Sequence, residues 1–305
     1  MKVKNIANKK SWLKKIFIKI CRLLDYEIID QSNFHLPVTD QYINEDLSKV
    51  GKRSLTIPMG KIEITRPVKS LTIILRTCAS VNMLTQSKKR LFEQEKSEYT
   101  LRSLNSIIKS INYAKELFNN IDLELIIVDH NSEKKEQVIF NQMSNMANIH
   151  QSLLLAKKSE DLVYFVEDDY IHSIQSLKEM ILTYEKLSSM LKTEIILCPT
   201  DYPYLYSEIE NAKIFLGDKS HWRSIKETLC TFLMSKEMVI KYWDDLTSMC
   251  KIEHYPFEKP LHNIYEKEHC LSPIPSLAIH LTNINSIFGL SPNVDWKKIW
   301  DENEL

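Results

Sequence analysis

Glycine is scarce in this sequence of 305 residues, which contains four, where average usage of about 7% would give roughly 21. The four are Gly51, Gly60, Gly217 and Gly289, and no two lie close enough to form a phosphate-binding loop or a glycine-rich dinucleotide-binding turn. The sequence therefore excludes P-loop nucleotide hydrolases and dinucleotide-binding proteins of the glycine-fingerprint type.

Long apolar runs, excess charge and paired cysteines are also missing. No run of about 18 apolar residues occurs, so no membrane-spanning helix is expected. Lys plus Arg total 40 and Asp plus Glu total 40, a balance that argues against a dedicated nucleic-acid binder. The six cysteines are scattered without a C-x-x-C pair, a distribution typical of reduced thiols. These features predict a cytoplasmic protein without a nucleic-acid partner.

The N-terminus is strongly basic, with eight Lys or Arg and no acid in the first 24 residues. From Trp12 to Leu24 the apolar residues recur at helical spacing and the basic ones fall on the opposite side of the helix. One interpretation is a helix that lies on an anionic membrane surface through residues 9–24, with the protein peripheral at the inner face of the membrane. The other is a helix that packs on the protein body with its lysines in solvent.

The central part of the sequence alternates between predicted strands and predicted helices. Such alternation predicts an α/β domain with a mostly parallel central sheet flanked by helices. We expect an N-terminal extension over residues 1–70, this domain over 71–290 and a C-terminal tail over 291–305. The expected strands are 71–77, 123–128, 161–166 and 194–198, and the helices between them are 98–119, 134–146 and 173–191.

Polar residues follow three of these strands where each strand ends. Arg76 and Thr77 end the first, Asp129 follows the second, and Glu167–Asp169 follow the third. Functional residues of parallel sheets gather at these carboxyl ends. Three consecutive acids repel one another, and a divalent cation such as Mg²⁺ or Mn²⁺ would relieve that repulsion. A solvated acidic loop, or the acidic start of a helix, is the alternative.

These strand ends resemble those of glycosyltransferases of the GT-A fold, near the family-2-like group. The residues of the resemblance are Asp129-His130-Asn131-Ser132 and Glu167-Asp168-Asp169, the latter with Glu where the family's D-x-D motif begins with Asp. The resemblance implies that Asp169 is the main metal ligand and that Glu167 or Asp168 contacts the ribose or the metal. It further implies that Asp129 accepts a hydrogen bond from the nucleotide base, and that Thr77, with Arg76, belongs to the nucleotide pocket.

Two residues of the second half extend the resemblance. In the stretch 254–262, Glu258 is the candidate general base, with Asp201 and Asp218 as rivals. His280 ends an apolar run, and by resemblance it would bind the metal or the diphosphate. A core histidine with satisfied hydrogen bonds is the alternative for His280.

The resemblance implies a metal-dependent glycosyltransferase that uses Mn²⁺ or Mg²⁺. It would move a sugar from a nucleotide diphosphate sugar to the hydroxyl of a glycan or a lipid-linked acceptor, in surface glycan or lipopolysaccharide synthesis. Two alternatives stay open: a nucleotidyltransferase, and a non-catalytic glycan- or membrane-binding relative of the fold.

Overall fold

A computed structural model describes residues 12–26, 63–78, 91–129, 144–207, 211–251, 258–282 and 286–304. The chain divides into two compact units, Met1–Ile62 and Glu63–Leu305. In the first unit the described structure is helix α1, Trp12–Leu23, which confirms the helix predicted there. Among the described helices none has the length and apolar character needed to cross a bilayer.

The second unit contains a sheet of eight strands, a two-stranded sheet, and helices. Its strands are β1 Ser70–Thr77, β2 Asp122–Asp129, β3 Leu162–Glu167, β4 Tyr170–His172, β5 Ile196–Leu197, β6 Ile214–Leu216, β7 His221–Ser224, β8 Phe232–Ser235, β9 Cys270–Ile274 and β10 Ala278–His280. Its helices are α2 Lys96–Leu117, α3 Ser144–Ala156, α4 Ser176–Leu191, α5 Lys236–Lys241, α6 Trp243–Ser248, α7 Lys259–Tyr265 and α8 Trp296–Glu302.

The large sheet has the strand order β2-β1-β3-β8-β5-β9-β7-β6. An α/β domain is confirmed, but the prediction of a mostly parallel sheet is wrong. Three neighbouring pairs are parallel (β1 with β2, β1 with β3, β5 with β9), whereas β8 runs antiparallel between β3 and β5, and β7 antiparallel between β9 and β6. The missed strands have three to five residues, too short for a period to stand out in the sequence.

Helices cover both faces of the sheet, as the alternation of side chains along β1 requires. Ile73 and Leu75 face a core formed with α2 and α4, whereas Ile74 faces a core formed with α3 and α5–α7. All eight residues of β1 are buried, which suits an aliphatic strand between two parallel neighbours. The central parallel strands therefore form a rigid support whose carboxyl ends share one edge.

The predicted helices are confirmed with shifted bounds in two cases and only partly in a third. Helix α2 begins at Lys96 and α4 ends at Leu191, close to expectation. Helix α3 spans Ser144–Ala156, so the predicted helix 134–146 overlaps it at three residues, and residues 134–143 lie outside the described residues.

The C-terminal segment packs on α2. Trp300 is buried, its ring stacks on Phe92 with 4.0 Å between centroids, and the guanidinium of Arg102 lies 4.4 Å from the Trp300 ring centroid. The C-terminal segment therefore packs against α2, and the first turn of α2 contacts Asp168. The domain boundaries at residues 70 and 290 stay predictions.

Candidate functional site at the carboxyl ends of the central strands

The register of the parallel strands places the predicted residues side by side. Arg76 of β1 lies opposite Glu167 of β3, and Thr77 lies opposite Asp129 of β2. The guanidinium of Arg76 donates to Glu167 at 3.2 Å, and the hydroxyl of Thr77 donates to Asp129 at 2.7 Å. Asp129 is exposed, so its carboxylate remains accessible at this edge. Its neighbours 130–132 lie outside the described residues.

Asp168 is held by the first turn of α2 and by the end of β1. One carboxylate oxygen accepts from the backbone N–H of Cys78 at 2.9 Å and from the hydroxyl of Thr100 at 3.0 Å, and it lies 3.5 Å from the ammonium of Lys96. Burial and the neighbouring Asp169 raise the pKa of Asp168, although Lys96 opposes them. Because this oxygen already has three donors, Asp168 joins strand to helix and is poorly suited to contact a ligand through that atom.

Asp169 and His280 face each other through the register of the small sheet. β4 begins directly after Asp169, and its Tyr170 pairs with His280 of β10. The His280 Nε2 lies 3.4 Å from an Asp169 carboxylate oxygen, and its ring stacks on Tyr170 at 4.6 Å. The His280 Nδ1 lies 2.8 Å from the carbonyl oxygen of Phe288. Donation from Nδ1 to that carbonyl leaves Nε2 as the nitrogen that faces the carboxylate.

Glu258 lies at the residue immediately before α7, as predicted for the acid of the second half. It is hydrogen-bonded to the thiol of Cys230 and is close enough to Arg76 and His280 for electrostatic interaction. Burial raises the pKa of Glu258, whereas the thiol and Arg76 lower it less strongly. A half-buried carboxylate beside an arginine and a thiol has the chemistry of a general base or acid. Residues 252–257 lie outside the described residues.

The turn that presents Cys230 has a strained backbone. Leu229 and Cys230 have φ angles of 48° and 56°, in the left-handed region that is unfavourable for side chains other than glycine. The Cys230 carbonyl accepts a hydrogen bond of 2.8 Å from the buried guanidinium of Arg76, which also contacts Glu167. Strain of this kind persists where the surroundings enforce it, and it is common at functional sites.

The neighbouring carboxylates of Glu167, Asp169 and Glu258 repel one another. Burial raises the pKa of Glu167 to about 7, with further upward contributions from Asp169 and Glu258, although Arg76 lowers it. For His280, burial lowers the pKa, but the facing Asp169 outweighs that effect and raises it. An additional positive charge placed here would therefore be favourable.

The residues present suit a cation that is shared with a substrate. Among the described residues, no group of three or more His, Cys, Asp or Glu is arranged to hold a metal ion. Asp169 and His280 supply two groups of the right chemistry, a carboxylate and an imidazole whose other nitrogen is oriented by a backbone carbonyl. Mg²⁺ usually takes one or two carboxylates and completes its shell with water and substrate phosphates.

The rival bases have other partners. Asp201 is buried against Arg223, and Tyr206 donates to it. Asp218 pairs with Lys178 of α4 at 2.9 Å. Both have structural roles, and Glu258 remains the candidate that contacts the cluster.

Three contributors were not predicted: Lys96 and Thr100 of α2, and Cys230. The sequence does contain a signal for the first two. A helix that follows a central parallel strand begins near the carboxyl edge, so its first turn faces the strand ends. The turn at Cys230 carries no such signal.

No model of a known protein family matches this sequence, and no curated protein is significantly similar to it. The fold and the edge residues define the class of protein: an α/β protein with a mixed sheet and a partly buried acidic cluster where the parallel strands end.

Proposed function

We propose that this protein is a metal-dependent glycosyltransferase with a GT-A-like fold, which transfers a sugar from a nucleotide diphosphate sugar to an acceptor hydroxyl. The observation that carries the proposal is the convergence of Arg76, Asp169, His280 and Glu258 around Glu167 at one sheet edge. These residues come from both halves of the sequence, and each was singled out by the resemblance.

The fold supports the same proposal. The strands β2, β1 and β3 are parallel neighbours, and acids end both outer strands of this group. The second half contributes Glu258 before α7 and His280 at the end of β10. That is the order of features expected of a GT-A enzyme: a nucleotide-binding half, then an acceptor half with the base.

Asp169 and His280 would hold the divalent cation, Mn²⁺ or Mg²⁺, together with the diphosphate of the donor. When bound, such an ion stabilises negative charge on the leaving diphosphate. Thr77 orients the carboxylate of Asp129 for the nucleotide base. Asp168 is a positioning residue that joins β1, α2 and the acidic turn.

Glu258 would act as the general base. Its carboxylate takes the proton of the acceptor hydroxyl while that oxygen forms the bond to the anomeric carbon and the bond from this carbon to the diphosphate breaks. Attack from the face opposite the leaving group inverts the anomeric configuration. The acceptor we propose is a glycan or a lipid-linked sugar of surface glycan synthesis.

A second candidate, a non-catalytic relative that binds glycans or membranes, is favoured by one observation. Each of the three consecutive acids already has a basic partner within the protein: Arg76, Lys96 and His280 contact Glu167, Asp168 and Asp169 respectively. A fold that balances its own acids does not require a metal ion to be stable.

A thermal-shift panel tests the proposal. UDP, GDP, CDP and TDP are each added with and without Mn²⁺ to the wild type and to Asp169→Asn. A ligand at 100 times its Kd stabilises the native state by about 2.7 kcal/mol. Asp218→Asn serves as the matched control because Asp218 pairs with Lys178, outside the acidic cluster.

The expected result is stabilisation by one nucleotide, dependent on Mn²⁺, lost in Asp169→Asn and kept in Asp218→Asn. The absence of a shift with every nucleotide, in a wild type that unfolds cooperatively, would instead favour the non-catalytic candidate.

A further inference from the structure

Helix α1 exposes its apolar side chains to solvent. The exposed fractions are 71% for Trp12, 65% for Leu13, 58% for Phe17 and 82% for Leu23, with Ile16 and Ile20 at 41% and 50%. In a soluble protein an amphipathic helix usually buries this face against the core. A contiguous exposed apolar face of this size marks an interaction surface.

The opposite side of α1 is mainly basic, with Ile18 as the one apolar exception. Lys15, Lys19 and Arg22 are exposed, and the first 24 residues contain no acid. On a helix at 100° per residue, these three residues fall on the side opposite the apolar face. The surface that α1 fits is therefore apolar in its interior and negatively charged where the apolar part meets water.

We propose that α1 lies parallel to an anionic lipid bilayer, with its apolar face among the upper acyl chains and its basic residues at the phosphate headgroups. A helix of 12 residues is about 18 Å long, too short to cross an apolar core of about 30 Å. An anionic bilayer offers an apolar interior and a negative boundary at once, which is the complement of α1. The proposal does not depend on the proposed function.

Vesicle sedimentation with the full chain tests this proposal. Vesicles of phosphatidylcholine alone are compared with vesicles that also contain phosphatidylglycerol, at low and high salt. Lys15→Gln/Lys19→Gln removes charge, and Phe17→Ser interrupts the apolar face. Lys297→Gln/Lys298→Gln removes two exposed lysines of α8 and is the charge-matched control.

We expect binding to the anionic vesicles alone, weakened by salt. Each basic residue at an anionic surface contributes about fivefold in affinity, so Lys15→Gln/Lys19→Gln should bind about 25-fold more weakly. Phe17→Ser should also bind more weakly, and the α8 control should match the wild type. The Trp12 fluorescence should shift to the blue on binding, a change that Trp12→Phe removes.

Three results would overturn the proposal. These are the absence of binding to either vesicle, equal and salt-independent binding to both, and equal weakening by the α8 control. Sedimentation velocity without vesicles provides a further check. If the chain self-associates and Phe17→Ser abolishes this, a second copy covers the apolar face and the bilayer assignment is wrong.

Discussion

The central strands have an ionic cluster at each end, and the two clusters differ in how closely their acids are paired with basic residues. Before β1, β3 and β5 lie Arg66, Asp161 and Glu194, and the Arg66 guanidinium donates to both carboxylates at 2.5–3.1 Å. At the other end, the Glu167 carboxylate accepts a 3.2 Å hydrogen bond from Arg76, and Asp169 lies 3.4 Å from His280. The carboxylates of the Arg66 cluster have short, multiple bonds to their guanidinium, whereas Glu167 and Asp169 have longer contacts with their basic partners.

The pKa values show the same contrast. Burial would raise the pKa of Glu194, but hydrogen bonds from Arg66 and Tyr184 outweigh it and lower the pKa. Burial raises the pKa of Glu167 to about 7, and Arg76 does not restore it. One cluster therefore stabilises the folded protein, and the other holds destabilising charge, the pattern expected where structure serves function.

The largest expected effect is on activity. Glu258→Gln removes the proposed base while keeping its size, and loss of general-base catalysis costs about 10²–10⁴-fold in rate. We expect kcat to fall by that factor with nucleotide binding retained, since Glu258 is hydrogen-bonded to Cys230 and is not one of the residues proposed to hold the nucleotide or the metal. Measurement of kcat and KM for sugar transfer checks this. Unchanged kcat would remove Glu258 from the mechanism.

The next effect lies at the opposite end of the strands and concerns stability. Arg66→Ala leaves Asp161, 8% exposed, and Glu194, 21% exposed, without their guanidinium. Unpaired buried carboxylates should cost about 3 kcal/mol, which lowers Tm by roughly 6–12 °C in a unit of this size. The activity of the folded fraction should be unchanged.

Lys178→Ala is the control for Arg66→Ala, because it removes a partly exposed pair with Asp218. Its cost should be under about 1 kcal/mol. Calorimetry of both variants measures the loss of stability in each. Equal losses would contradict the conclusion that the Arg66 cluster stabilises the folded protein.

Two glutamine substitutions should change stability in opposite directions. Glu167→Gln, in EDTA, should stabilise the protein by about 3 kcal/mol at pH 8, because a carboxyl group whose folded pKa is about 7 loses stability as pH rises from about 4.5 through 7. Glu194→Gln should destabilise at pH 7, since the lowered pKa of Glu194 gives stability above about 4.5 that is lost as pH falls.

Urea unfolding of the two variants and the wild type from pH 3 to pH 8 measures both effects. The gain of Glu167→Gln should vanish below about pH 4.5, and the loss of Glu194→Gln should shrink in acid. Variants that change stability in the same direction at pH 7–8 would contradict the contrast between the two clusters.

The sequence predicts the acidic edge well for a physical reason. Long aliphatic runs such as 71–77 identify buried strands, and in parallel strands their final polar residues must meet. Hydrogen bonds between different helices and strands cannot be predicted in this way. The short strands β6–β10 show no period, and the break between α5 and α6 at Tyr242 has no local signal. The contacts of Asp168 depend on how α2 packs against the sheet, and no local sequence pattern predicts that packing.

The smallest effect tests the link from α2 to the acidic cluster. Thr100→Val keeps the shape of the side chain and removes the 3.0 Å hydrogen bond to Asp168, which should cost about 1 kcal/mol. Thr183→Val in α4 is the comparison, because the buried Thr183 donates to Glu179 at 3.2 Å and also accepts from the backbone N–H of Asp218 at 3.1 Å. Thr183→Val should lose at least as much stability in urea as Thr100→Val, and titration calorimetry should detect weaker metal-dependent nucleotide binding in Thr100→Val alone. Equal binding by both would mean that Asp168 does not need the Thr100 hydroxyl, because the backbone N–H of Cys78 and the ammonium of Lys96 hold it sufficiently.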